Sequence, residues 1–136
     1  MSERWIAVVA AALQRQDGLW LMHRRPANKQ HGGLWEFPGG KVEASEMPSE
    51  TLERELFEEL GIRCDLASFH PVGFAESGVT SGSSPIVILL YKVSVWKGEP
   101  EALEGGEVGW FTPDQIASLP KPPLDLALAR QLFQIR

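Results

Sequence analysis

The sequence predicts an α+β fold, a mixed β-sheet held between helices. Three observations predict it. Pro48 to Leu60 carries Leu52, Leu56 and Leu60 at every fourth position, the narrow apolar stripe of an amphipathic helix. Ile86-Val87-Ile88-Leu89-Leu90-Tyr91 is an unbroken run of strand-forming residues, whose continuity suggests burial on both faces. Strand-like and helix-like stretches interleave along 136 residues, a length that fits one domain, 1–136, with a normal core.

Taken in order, Trp5 to Leu13 reads as a buried strand, with Ile6, Val8 and Val9 favouring extended backbone. Asp17-Gly18 is a hairpin turn signal, and Leu19 to Arg24 is the returning strand. Arg25 opens a loop through Asn28, Gly32 and Gly33 that reads as loose enough to act as a flap. Trp35-Glu36-Phe37 is short and extended. Pro48 then sets the first turn of a helix, where its missing N–H costs nothing, and Gly61 ends it. A strand lies within Cys64–Glu76, followed by a polar loop from Ser77 to Ser84. Pro85 to Trp96 contains the apolar strand, Lys97-Gly98-Glu99-Pro100 turns the chain, and Glu107 to Phe111 is a short strand. Thr112-Pro113-Asp114-Gln115 has the order of a capping box and starts a short helix. Lys121-Pro122-Pro123 is a stiff loop before a closing helix, Asp125 to Phe133.

Composition bounds the function. The net charge of −5 argues against a nucleic-acid-coating surface, though not against a nucleotide bound with metal ions, because cations reverse the local field. Cys64 is the only cysteine, so no internal disulfide forms, and with His23, His31 and His70 scattered a structural zinc site is not expected. The three histidines read as structural. The N-terminal apolar run is too short to span a bilayer and lacks the shape of a signal peptide, so the expected location is the cytoplasm, with no membrane partner.

The chemistry concentrates between Gly39 and Ile62. Glu55, Glu58 and Glu59 fall at i, i+3 and i+4, so their carboxylates share one helix face bordering the apolar stripe. Clustered carboxylates repel one another, and a hard divalent cation with oxygen ligands is the usual reason to keep them. Arg54 is the one cation placed to partner Glu58 and Glu50. Phe37-Pro38-Gly39-Gly40-Lys41 is a tight turn that brings backbone carbonyls and a lysine beside the acids.

Read from Gly40, the stretch is a glycine, five residues, Glu46, seven residues, then Arg54-Glu55-Leu56-Phe57-Glu58-Glu59-Leu60-Gly61-Ile62. This spacing resembles the Nudix box at every fixed position. Leu34 to Lys41, Trp96 to Pro100 and Leu119 to Leu126 look like those of MutT-type (deoxy)nucleoside triphosphate pyrophosphohydrolases. The resemblance implies an α/β/α sandwich around a mixed sheet. It implies that Glu55, Glu58 and Glu59 bind Mg²⁺ or Mn²⁺ with the Gly39 carbonyl, that Arg54 orients the glutamates, and that Glu46 supports the box loop. Glu104 stands where such proteins place a further metal-binding or water-activating acid; as a loop residue near Glu101 and Glu107 it also reads as a solvated acid. Arg25, Lys41 and Glu36 are the implied substrate contacts. Asp125 stands where enzymes preferring 8-oxoguanine carry an asparagine; it reads equally as a cap of the last helix. Met47 replaces a capping Thr or Ser, at a cost of about 1 kcal/mol to the cap.

The implied activity is metal-dependent cleavage of a nucleoside triphosphate to the monophosphate and pyrophosphate, with 8-oxo-dGTP as one candidate. The alternatives are another nucleoside diphosphate derivative, of the CTP or nucleotide-sugar type, or a non-catalytic nucleotide-binding module. The expected partner is a small-molecule nucleotide, not a nucleic-acid polymer.

Overall fold

The computed structural model describes residues 5–78 and 84–134. Its elements in chain order are β1 (Ile6–Leu13), β2 (Trp20–Arg24), β3 (Trp35–Glu36), β4 (Gly39–Lys41), α1 (Pro48–Leu60), β5 (Arg63–Cys64), a 3₁₀ turn (Leu66–Ser68), β6 (His70–Glu76), β7 (Ile86–Val93), β8 (Trp96–Lys97), β9 (Glu107–Phe111), α2 (Pro113–Ser118) and α3 (Pro123–Phe133).

A four-stranded mixed sheet, in the order β4-β1-β7-β6, forms the centre. β1 and β7 run parallel in the register Ile6↔Ile86 to Leu13↔Val93, and the other pairs are antiparallel. The two faces of β1 separate two layers of core. Val9, Ala11 and Leu13 meet Leu52, Leu56 and Leu60 of α1, while Ala10 and Ala12 share a cluster with Leu128 and Ala129 of α3. This is the expected helix–sheet–helix sandwich. A second, antiparallel sheet, β3-β2-β9, lies beside it, and β5 and β8 form a small ribbon.

Three details correct the sequence reading. The Asp17–Gly18 turn forms, with Gly18 at φ 89°, but β1 and β2 share only one bridge, Gln14↔Trp20, and then part into separate sheets. Both edges of β1 are already taken by β4 and β7, so β2 has no edge to join. The strand buried on both faces is β1, not β7: Val9 to Leu13 are all buried, whereas in β7 only Leu90 and Val93 are. The 25–34 segment is not a loose flap. Backbone bonds Arg25 N–H to Leu34 O, Gly33 N–H to Arg25 O and Gly32 N–H to Lys29 O fold it on itself.

The helix ends follow their residues. α1 spans Pro48–Leu60, and Gly61 closes it at φ 75° with its N–H on the Phe57 carbonyl. Met47 offers no side-chain oxygen, but Glu50 Oε1 accepts from the Met47 N–H at 2.8 Å and keeps half of a capping box. Thr112 and Gln115 complete the full box of α2. α3 starts at Pro123, two residues before the expected Asp125, because a proline fits the first helical position.

Candidate active site

β4 pairs with β1 through Ala10↔Gly39, Val9↔Gly40 and Val8↔Lys41, which sets the Gly39–Gly40 backbone against the acidic face of α1. The second glycine is a space requirement. A Cβ on Gly40 would sit 2.5 Å from Glu55 Oε2 and 2.9 Å from its Cγ. Gly39 is a backbone requirement: a Cβ there would run into the Val9 carbonyl oxygen and lie 2.7 Å from the Ala10 Cα.

Arg54 organises the acids. Its Nε and Nη2 grip Glu46 at 2.8 and 3.0 Å, a bidentate fork, and its Nη1 reaches Glu55 Oε2 and Glu58 Oε1, both at 3.2 Å. Glu46 also accepts from the Thr51 hydroxyl and the Glu43 N–H. The Arg54 guanidinium, then the Thr51 hydroxyl, hold the Glu46 carboxyl down to about 2. Arg54 thus pairs with Glu58 as expected, but Glu50 is occupied at the helix cap.

The three box acids sit in different environments. Glu58 is 48% exposed, Glu55 is 18% exposed under Gly40, and Glu59 faces inward. Burial, then the neighbouring Glu55, Glu36 and Glu104 carboxylates, push the Glu59 carboxyl far above its usual range. That is an electrostatic debt a cation would cancel. Among the described residues, no three His, Cys, Asp or Glu side chains are already drawn into a ready cage. The donors nevertheless suit a hard ion: Glu59, Glu104 and Gly39 share one cleft, and Glu55 adjoins Glu59.

That cleft has a volume of about 440 Å³. It is lined by the acids Glu36, Glu59 and Glu104, the Gly39 backbone, and the basic residues His23, Arg25 and Lys29. Arg25 is held in place by Nε–H to the Gln30 carbonyl at 2.7 Å and by Nη1 to Glu36 at 3.1 Å. Another cleft of about 440 Å³ lies between Arg15, Trp96 and Trp110, away from these acids.

Of the expected residues, the fold thus brings Gly39, Glu59, Glu104, Arg25 and Glu36 together, with Glu55, Arg54 and Glu58 running outward from them. Lys41 is exposed at the end of β4 and does not line the cleft. Asp125 is 6% exposed and lies within the first turn of α3, where Pro122 holds the cap position; this corrects the reading of Asp125 as a cap. Its Oδ2 accepts from the Phe37 N–H at 3.0 Å. Burial raises its carboxyl to about 7, against the opposing pull of that N–H. The polar Ser77–Ser84 loop lies partly outside the described residues.

Sequence reasoning missed His23 and Lys29. The signal for His23 was the pairing His23↔Glu36, legible only once β2 and β3 were known to be neighbours. Nothing in the residue pattern marked Lys29.

A family model described as "NUDIX domain" matches residues 3–133. A CTP pyrophosphohydrolase of Escherichia coli (strain K12) is 35% identical over 134 residues, covering 98% of this chain and 95% of that protein. An 8-oxo-dGTP diphosphatase of Haemophilus influenzae is 30% identical over 133 residues, covering 98% and 95%. The solution structure of the E. coli ORF135 protein superposes with a TM-score of 0.85 at 33% identity, covering 98% of this chain and 92% of that one.

Proposed function

Since the chain belongs to the NUDIX family, we propose that it is a divalent-metal-dependent hydrolase that cleaves a nucleoside triphosphate to the monophosphate and pyrophosphate. The observation that supports this most directly is the cleft itself, lined by half-buried Glu59, Glu104 and the Gly39 backbone together with Arg25 and Lys29. A polyphosphate chain needs both kinds of group. The cations neutralise non-bridging oxygens, and the acids hold the metal.

Glu55, Glu58, Glu59 and Glu104, with the Gly39 carbonyl, would hold Mg²⁺ or Mn²⁺. When bound, the ion polarises phosphate oxygens and lowers the pKa of a water. The chain's own contribution is positional. Arg54 fixes Glu46, Glu55 and Glu58 in one network. Arg25 and Lys29, which line the cleft, bind phosphate, Glu36 orients Arg25, and Asp125 meets the base.

The similarity to proteins named CTP pyrophosphohydrolase and 8-oxo-dGTP diphosphatase leaves two bases in play. Asp125 bears on both. Because burial lifts its carboxyl to about 7, a neutral acid is accessible near physiological pH. A neutral carboxyl offers one donor and one acceptor. That pair complements O6 and N7–H of 8-oxoguanine, and equally the ring nitrogen and amino group of cytosine. Among the described residues, no helix is long and apolar enough to cross a membrane, and a cytoplasmic enzyme acting on free nucleotides fits this reading.

The test is phosphate release in a coupled assay with Mg²⁺ and inorganic pyrophosphatase across a nucleotide panel that includes CTP, dCTP, dGTP, 8-oxo-dGTP and nucleotide sugars. Pyrophosphate-dependent signal from one or more triphosphates is expected. Nucleotide sugars release a sugar phosphate and no pyrophosphate, so they are assayed with alkaline phosphatase instead; signal from them alone would overturn the triphosphate assignment, and no signal from any would favour a binding module.

A further inference from the structure

We propose that His23 is a positioning residue, a brace that holds the Glu104 loop over the cleft. The proposal rests on the reading that Glu104 serves the metal and water site, and it adds a residue absent from that reading.

His23 stands in β2, between Glu36 of β3 and Val108 of β9. Its Nε2 lies 3.0 Å from the Gly105 carbonyl oxygen. A carbonyl only accepts, so Nε2 carries the hydrogen and donates. Gly105 directly follows Glu104. The first half of this loop is tied to the end of α1 by Glu101 N–H to Leu60 O at 3.1 Å and Leu103 N–H to Glu59 O at 3.0 Å. Among the described residues, the His23 bond is the one side-chain hydrogen bond to residues 101–106.

The backbone is shaped for that contact. Gly105 and Gly106 have φ of 100° and 79°, a left-handed pair that only glycine adopts at little cost. A Cβ on Gly106 would overlap the Arg24 carbonyl oxygen and sit 3.1 Å from His23 Nε2. The loop therefore lies directly on β2 at His23. The other ring nitrogen, Nδ1, is buried without a hydrogen-bond partner and faces Glu36 Oε2 at 3.7 Å. Glu36 in turn accepts from Arg25. One line of contacts, from the Glu104 loop through His23 and Glu36, thus reaches Arg25, another residue that lines the cleft. Misplacing a reacting geometry by about 1 Å costs on the order of 10²-fold in rate, so a brace on the backbone beside Glu104 has leverage.

The test compares His23→Phe, which keeps a ring and removes both nitrogens, His23→Gln, whose amide can still donate to Gly105, Glu104→Gln, and the double variant of His23→Phe with Glu104→Gln. His23→Phe is expected to lower kcat about tenfold with KM little changed, and His23→Gln to recover most of it. Because the brace acts through Glu104, His23→Phe should add no loss on top of Glu104→Gln. A readout independent of turnover is amide hydrogen exchange on the metal-free protein. His23→Phe should speed exchange at Gly105, Gly106 and Glu107 and leave α1 and β1 unchanged. The same fold loss with and without Glu104→Gln, or unaltered exchange in the loop, would overturn the proposal. Glu104→Gln at the wild-type rate would overturn the role of Glu104 and the brace with it. That arm contains no His23 variant, so the two failures are told apart.

Discussion

Gly40→Ala separates catalysis from stability. The added methyl would sit 2.5 Å from Glu55 Oε2, about 1 Å inside ordinary contact. The neighbour is a side chain and not backbone, so the relief is for the Glu55 carboxylate to swing away by roughly that distance. A carboxylate shifted by 1 Å leaves the 2.0–2.1 Å shell that Mg²⁺ demands, and a misplacement of that size costs about 10²-fold in rate. Folding loses little. The Arg54–Glu55 contact that would break is a long one, 3.2 Å and partly buried, worth about 1 kcal/mol, and parting Glu55 from Glu59 relieves a repulsion. Gly39→Ala is the control. Its methyl meets the Val9 backbone, so β1 and β4 must separate. That overpacking costs about 3 kcal/mol, roughly 10 °C in Tm. The assay is kcat with saturating Mg²⁺ beside a thermal melt. Expected are a kcat down about 10²-fold with Tm within a few degrees for Gly40→Ala, and a lowered Tm for Gly39→Ala. A Gly40→Ala enzyme at full rate would refute the argument that Glu55 needs this space.

Activity should vanish with EDTA and return with Mg²⁺ or Mn²⁺. Glu58→Gln and Glu59→Gln should each lower kcat by at least about 10²-fold, and Glu59→Gln alone should also raise Tm at pH 8, where the metal-free fold must hold a proton on this half-buried carboxyl that the unfolded chain would release; full-rate Glu59→Gln would refute the metal role. Asp125 has a folded pKa near 7 against about 3.9 unfolded, so its contribution is fully present below pH 4 and is lost as pH rises through 7. Asp125→Asn, whose amide oxygen can still accept from Phe37, should therefore be more stable at pH 8 by up to about 4 kcal/mol, with the advantage gone by pH 4; equal melts at both pH values would sink this. At pH 8, where the Asp125 carboxyl is mostly ionised and only accepts, the same variant should raise the 8-oxo-dGTP to dGTP ratio of kcat/KM, a contact worth about 1–3 kcal/mol, and an unchanged ratio would move base recognition elsewhere. In ¹⁸O-water the label should enter pyrophosphate, as for attack at the β-phosphorus; label in the monophosphate would place attack at the α-phosphorus.

What was legible in the sequence was local. Helix α1 and its end residues follow from Pro48, the leucine stripe and Gly61, because each acts within a turn or two of itself. The α2 box is a contact three residues long. The Arg54 network was half legible: Glu58 is one turn away, but the tighter partner, Glu46, lies eight residues back across a loop. What failed depended on distant chain. The Asp17–Gly18 hairpin lost its ladder because β4 and β7 claimed both edges of β1. Asp125 reads equally as a cap or a base contact from its neighbours alone, because the partner it bonds, the Phe37 N–H, is 88 residues away in sequence. His23 had no local pattern at all; its meaning comes from β3 on one side and the Glu104 loop on the other.

The pairing of β1 with β7 has a consequence for how the protein is made. The strand with the most completely buried side chains is synthesised first, and its parallel partner leaves the ribosome about eighty residues later. Closing so long a loop before any contact rewards it is slow and favours late, cooperative assembly. Until Val93 emerges, the segment Ile6–Leu13 is an apolar strand with an open edge, the kind of surface that pairs with other chains. Substitutions in β7 should thus show themselves in the yield of soluble protein during expression as well as in the melting of the finished fold.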